Sequence, residues 1–294
     1  MAQRRLLLIY NPVAGQRHAR RFEAVLARLR AAGAELTVRP TTARGDAEAF
    51  AAAADRAAFD AVIAAGGDGT INEAANGLAA AGADAPPLAL LPLGTANVLA
   101  AEIGLASDPA AIAATILQGR ETRVYAGLAN GRRFLQMTGV GFDAEVVAHV
   151  SPRFKRLAGK GAYVVETWRQ LRAYGFPRFR LTIDGRAFDA ASAVIAKGHF
   201  YGGRMVCAPD ARLAEPRFQV CLFEHGGALA VLRYGAALVL GRLPRQPGIR
   251  LLPAHEIDVA ADISAPVQGD GDIIARLPLS ARIDERPLSL ILPG

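Results

Sequence analysis

In this 294-residue chain, the stretch Gly66-Gly67-Asp68-Gly69-Thr70-Ile71-Asn72-Glu73 carries residue types that specify a chemistry. Three glycines leave the backbone bare, so a bulky anion can reach the amide groups. Thr70 stands where it can cap a following helix, and a helix N-terminus adds a positive field for phosphate. Asp68 would repel a phosphate unless a Mg²⁺ sat between them, which makes it a candidate metal ligand. The spacing is neither that of a dinucleotide turn nor that of a P-loop, which would end in lysine. Two other turns, Asn11-Pro12-Val13-Ala14-Gly15 and Pro92-Leu93-Gly94-Thr95-Ala96-Asn97, also follow short apolar runs. Downstream, Asp270 lies between Gly269 and Gly271, and Asp143 follows Gly139-Val140-Gly141-Phe142. Taken alone, such Asp-Gly stretches are turns or helix caps.

The elements that must position these residues alternate over residues 1–122. Strands are predicted at Leu6–Tyr10, Glu35–Arg39, 60–65 and Leu88–Leu91. Helices are predicted at Arg17–Ala32, Ala47–Ala58, after the glycine octet, at Ala96–Ile103 and at Pro109–Gln118. Asp108 caps the last of these, and Pro109 takes its first position. Alternation of this kind gives a parallel sheet covered by helices, with ligands at the carboxyl ends of the strands. All three glycine turns fall at such ends. From about residue 123 the pattern changes to short strands, with turns at Asn130-Gly131 and Asp184-Gly185 and helical stretches at 161–174 and 228–241. The chain therefore reads as an α/β domain (1–122) followed by a mainly antiparallel β-sandwich domain (123–284). The strand at 285–294 is a candidate to return to the first domain.

Composition narrows the classes. With 52% hydrophobic and 21% charged residues the chain is an ordinary globular protein. Cys207 and Cys221 form neither a metal spacing nor a disulfide framework, which suits a reducing cytoplasm. The five histidines are scattered, and no Gly-x-Ser-x-Gly turn supports a serine hydrolase. No segment reaches the ~20 apolar residues needed to span a bilayer. A net charge of +7 favours anionic partners, a nucleotide or an acidic membrane surface before nucleic acid. Residues 153–180 hold eight basic side chains and one acid, interleaved with Phe154, Trp168, Tyr174 and Phe176. That composition suits peripheral contact with an anionic inner leaflet, or equally a solvated basic face with its aromatics in the core.

The glycine octet resembles the signature of the diacylglycerol kinase and sphingosine kinase superfamily of lipid kinases, a distant relative of the NAD kinases. The resemblance runs from about residue 6 to 293, with the motifs in order. It implies nucleotide contacts at Asn11, Thr41, Gly66, Gly67, Asp68, Gly69, Thr70, Asn72, Gly94 and Thr95, with Ala14 where the family usually carries serine. It implies that Asp270 accepts the proton of the phosphorylated hydroxyl, with Asp272 in place of the family's glutamate. Asp143 is the competing carboxylate. Tyr201-Gly202-Gly203-Arg204-Met205 and Pro209-Asp210 also match. Relatives hold a structural Mg²⁺ just beyond, through an aspartate replaced here by Glu215, so Glu215 is the implied metal residue. The activity implied is ATP-dependent phosphorylation of a lipid alcohol such as diacylglycerol, with Mg²⁺ as cofactor. An NAD kinase-like enzyme, a non-catalytic nucleotide-binding regulator and a homodimer stay open at this point.

Overall fold

The computed structural model describes residues 3–15, 18–150 and 160–294. Arg153, Phe154, Lys155 and Arg156 of the basic stretch, and Arg17 at the predicted helix start, lie outside the described residues. The chain divides into two units, Met1–Val124 with Arg286–Gly294, and Tyr125–Glu285.

The first unit contains β1 (Arg5–Tyr10), α1 (Pro12–Gly15), α2 (Ala19–Ala31), β2 (Glu35–Pro40), α3 (Asp46–Ala52), β3 (Ala61–Gly66) and α4 (Asp68–Ala81). It continues with β4 (Leu88–Pro92), α5 (Val98–Glu102), α6 (Pro109–Gln118) and β5 (Arg120–Val124). Its sheet runs β2-β1-β3-β4, then the last strand of the chain (Leu288–Leu292), then β5. Only β5 is antiparallel to its neighbour. Leu6–Ile9, Ala61–Ala65 and Leu88–Leu91 are wholly buried, as parallel strands covered on both faces must be. Phe22, Val25, Leu26 and Leu29 form the buried stripe of α2, at helical spacing. Asp108 caps α6 by accepting the amides of Ala110 and Ala111 at 2.9 and 3.0 Å. Helix α3 ends at Ala52, short of the predicted Ala58, because the chain turns there to bring the Asp60 carboxylate onto the Arg5 amide at 2.7 Å.

The second unit opens with β6 (Gly127–Ala129), β7 (Arg132–Phe134), β8 (Met137–Val140), α7 (Phe142–His149) and α8 (Lys160–Ala173). Strands β9 (Phe179–Ile183), β10 (Arg186–Ala190), β11 (Ser192–Ala196), β12 (Phe200–Tyr201), β13 (Met205–Val206) and β14 (Phe218–Phe223) follow. Then come α9 (Ala228–Val239), β15 (Ile249–Ala254), β16 (Glu256–Ala260), β17 (Pro266–Gly269), β18 (Asp272–Arg276) and β19 (Leu279–Ile283), and β20 is the Leu288–Leu292 strand of the first unit. Two six-stranded antiparallel sheets result, ordered β10-β9-β16-β19-β6-β7 and β15-β14-β11-β8-β17-β18. Phe134, Phe179, Leu181, Ile195, Val220, Ile257 and Leu279, drawn from both sheets, share one core. The fold is therefore an α/β unit and a β sandwich. Asn130-Gly131, Asp184-Gly185 and Asp270-Gly271 are two-residue turns with positive φ at both positions, the geometry that matches strand twist.

Candidate active site

The carboxyl ends of β1, β3 and β4 bring the three motif turns together. The Asn11 amide donates to the Ala65 carbonyl at 2.9 Å, and the Leu93 amide to the Gly66 carbonyl at 2.8 Å. The Asn11 side-chain oxygen accepts the amides of Val13 and Ala14 at 3.0 and 3.3 Å, so this loop is a capped helical turn rather than an open glycine turn. Its Nδ2 donates to the Thr70 hydroxyl at 3.2 Å, tying the first turn to the second. Thr70 does not cap α4. Gly67 is the N-cap, the helix begins at Asp68, and Thr70 is buried in the first turn over Gly66.

Asp68 joins the glycine octet to the turn after β4. Its two carboxylate oxygens accept the amides of Asn97 at 2.9 Å and Val98 at 2.7 Å, where α5 starts. Asn97 has φ +49°, and its side chain closes the loop by accepting from the Gly94 amide at 2.9 Å and donating to the Gly94 carbonyl at 2.8 Å. Gly67 and Gly94 are in backbone contact. Gly69 and Thr95 are exposed on this rim, and Asn72 is half-buried beside Asn76, whose Nδ2 lies 3.1 Å from its oxygen. Thr41 is held by its own amide on the Tyr10 carbonyl at 2.8 Å. What results is a cluster of glycine backbones, one oriented carboxylate and a helix N-terminus, which suits phosphates accompanied by a cation. A lone carboxylate fits a Mg²⁺ that arrives with a nucleotide and keeps most of its waters. Asn97 and Arg21, whose guanidinium reaches the Pro92 carbonyl at 3.2 Å, were not assigned from sequence. Asn97 sits inside a motif read for its glycine, and Arg21 is one of many helical arginines.

In the second unit Asp270 occupies the tip of the β17–β18 hairpin, with φ +50°. Its carboxylate accepts three successive amides, Leu135 at 2.7 Å, Gln136 at 2.9 Å and Met137 at 3.0 Å. Those donors fix its direction. Asp272 begins β18. Asp143 differs in kind. It lies inside the first turn of α7 rather than at its cap, which is Gly141. Burial holds its carboxyl above the usual carboxylate range, against hydrogen bonds from Tyr201 and Gln268. Among the described residues no group of three His, Cys, Asp or Glu side chains is placed to hold a metal. Glu215 pairs with Arg217 Nε at 2.6 Å, and its carbonyl accepts from the buried ammonium of Lys197.

The sequence matches two family models, the diacylglycerol kinase catalytic domain over residues 5–129 and the YegS C-terminal NAD kinase beta sandwich-like domain over 136–292. It is 29% identical over 279 residues to a diacylglycerol kinase of Bacillus subtilis, covering 94% of this chain and 92% of that one. A diacylglycerol kinase of Staphylococcus aureus is 26% identical over 295 residues, with 99% and 93% covered. The crystal structure of a diacylglycerol kinase from Bacillus anthracis superposes with a TM-score of 0.80 at 24% identity, covering 99% of this chain and 98% of that one.

Proposed function

Since the chain belongs to the diacylglycerol kinase family, catalytic domain and YegS-type sandwich together, and is a lipid kinase, we propose that it phosphorylates the free hydroxyl of a diacylglycerol or closely related lipid alcohol. Phosphoryl transfer asks the protein mainly for positioning and charge stabilisation. The observation that carries the reading is the convergence of Asn11, Gly67 and Gly94 at one sheet edge, stitched by Asp68. The octet amides and the turns at Asn11 and Gly94 hold the phosphates of ATP, while Thr41, Asn72 and Thr95 flank them. A Mg²⁺ bound with the nucleotide near Asp68 would neutralise charge on the transferring group.

Asp270 accepts the proton of the acceptor hydroxyl. Three amide donors hold it aimed. Asp143, kept toward its neutral form by burial, is the poorer acceptor.

The second unit presents apolar side chains outward on α8 and α9: Val164, Val165, Trp168, Leu229, Leu232 and Val239 are exposed, with Leu240 just beyond. Phe176 instead stacks on Phe142, and Tyr174 meets both rings edge-on. We read the exposed face as the peripheral contact through which the enzyme reaches its lipid on an anionic bilayer. No helix among the described residues is long and apolar enough to cross a membrane. Transfer of labelled phosphate from ATP to a panel of diacylglycerol, sphingoid base, ceramide, phosphatidylglycerol and NAD tests the assignment. Diacylglycerol is expected to be labelled fastest; preferential labelling of another member rejects the acceptor proposed.

A further inference from the structure

Lys197 is fully buried, at 0% exposure, in a chain with only three lysines among 34 basic residues. Its ammonium donates to three backbone carbonyls of one loop, those of Arg212 at 3.0 Å, Arg217 at 3.0 Å and Glu215. Three donors meet three acceptors, so the group is satisfied without water. A planar guanidinium fork could not converge on the same three oxygens, which explains lysine in an arginine-rich chain.

Three carbonyl oxygens aimed at one point make a cation site, and left empty they would be costly buried acceptors. This is the stretch where relatives are implied to hold a structural Mg²⁺, and the residues here do not fit that ion. The Arg212 and Arg217 carbonyls stand at an ammonium distance, 3.0 Å, from the nitrogen that fills the cradle, whereas Mg²⁺ demands ligands at roughly 2.1 Å. The one nearby acid, Glu215, is engaged by Arg217. We propose that the Lys197 ammonium is the resident cation of the 212–217 loop, so that the fold of this loop is independent of divalent metal.

The strut has a second attachment. The Lys197 amide donates to the Gln136 carbonyl at 2.7 Å. Gln136 is in turn one of the three residues whose amides hold Asp270. The lysine thus fastens the loop to the segment that orients the proposed proton acceptor.

Thermal unfolding of the full chain without nucleotide, in chelator and then in excess Mg²⁺, tests the idea independently of lipid kinase activity. The wild-type Tm is expected to be the same in both, and metal analysis of the protein to find no stoichiometric divalent ion. Lys197→Met, which keeps the length but removes the charge and donors, should lower Tm by roughly 5 °C or more. Lys197→Ala, which vacates the cradle, should be less stable and recover part of the loss with added ammonium or methylammonium ion. A wild-type Tm that falls in chelator and returns with Mg²⁺ overturns the proposal, and so does a Lys197→Met chain as stable as wild type. Recovery of neither kind in a folded Lys197→Ala chain overturns the claim that the cradle is a cation site. Should the variants not fold, the wild-type comparison still decides.

Discussion

Gly94 lies against Gly67 so closely that a Cβ built on it would stand 2.5 Å from the Gly67 Cα and 2.7 Å from Asn97 Oδ1. Neither residue needs glycine for its φ; what requires it is the approach of two backbones at the carboxyl ends of neighbouring strands. Gly94→Ala must therefore push the two turns apart. Overpacking of this kind costs about 1–3 kcal/mol, and the shift falls on the proposed phosphate site. The KM for ATP should rise several-fold with a lower Tm. Gly175→Ala, where a Cβ meets nothing, serves as the control and should change neither. Equal ATP kinetics in both variants would remove the Gly67–Gly94 edge from the nucleotide site.

Asp68 holds two amides as well as offering charge, so its removal should show in two ways. Asp68→Asn turns an NH₂ toward one of those N–H groups and leaves a half-buried donor unpaired, worth about 1 kcal/mol. It also removes the charge proposed to attract Mg²⁺. Titrating Mg²⁺ at fixed ATP should show a raised requirement together with a lowered Tm. A lowered Tm with an unchanged Mg²⁺ requirement would reduce Asp68 to a scaffold residue.

Much of this was legible in the sequence because it is local. The Asp108 cap, the Asn-Gly and Asp-Gly hairpins and the strand–turn–helix at the octet each depend on a few consecutive residues. The corrections mark where local rules end. Thr70 satisfies every rule for a cap, yet Gly67 ends the strand early enough that the helix starts first and threonine serves Asn11 instead. Asp143 looks like a cap for the same reason, but its carboxyl, with one oxygen buried, accepts from the Tyr201 hydroxyl instead. The amides on Asp270 come from more than 130 positions away, and the oxygens on Lys197 from a loop without periodicity. In composition that lysine is one charge among many.

The two candidate proton acceptors separate by substitution. Asp270→Asn should lower kcat by roughly 10²–10⁴-fold, the contribution of a positioned base, with little change in the KM for ATP. It will also cost stability, because an NH₂ must face the amides of Leu135, Gln136 or Met137; turnover must therefore be referred to folded protein. Asp143→Asn should retain most of its activity. The reverse pattern, with Asp270→Asn active and Asp143→Asn dead, assigns the chemistry to Asp143.

Asp143 also makes a prediction in pH. Its carboxyl titrates above the ordinary range in the folded chain, because of burial, and near an ordinary value of about 4 when unfolded. Between those values the folded state holds a proton that the unfolded state has lost. Stability from this group is thus full below the unfolded pKa and declines as pH rises through the folded one. Asp143→Asn, neutral throughout, should flatten that decline and be as stable as wild type or more so at pH 7. Denaturant unfolding at several pH values measures it; a variant with the wild-type slope would show that Asp143 is not the group responsible.

The exposed face of α8 and α9 should matter only when the lipid is in a bilayer. Trp168 is 51% exposed, Leu229 83% and Val239 73%, and Arg169, Arg172 and Arg233 lie on the same helices. Inserting one leucine-sized side chain gains about 1.5–3 kcal/mol, and each basic residue near an anionic leaflet about 1 kcal/mol. A Trp168→Ser, Leu229→Ser double variant should therefore sediment with anionic vesicles at least ~10-fold more weakly. Turnover of a short-chain, water-dispersed diacylglycerol should be unchanged, since neither residue is among those proposed to hold the nucleotide or take the proton. Wild-type binding should weaken with added salt and on neutral vesicles, because the basic residues act through a screened field. Binding indifferent to lipid charge and salt, or a double variant that sediments like wild type, would return this face to ordinary solvent-exposed surface.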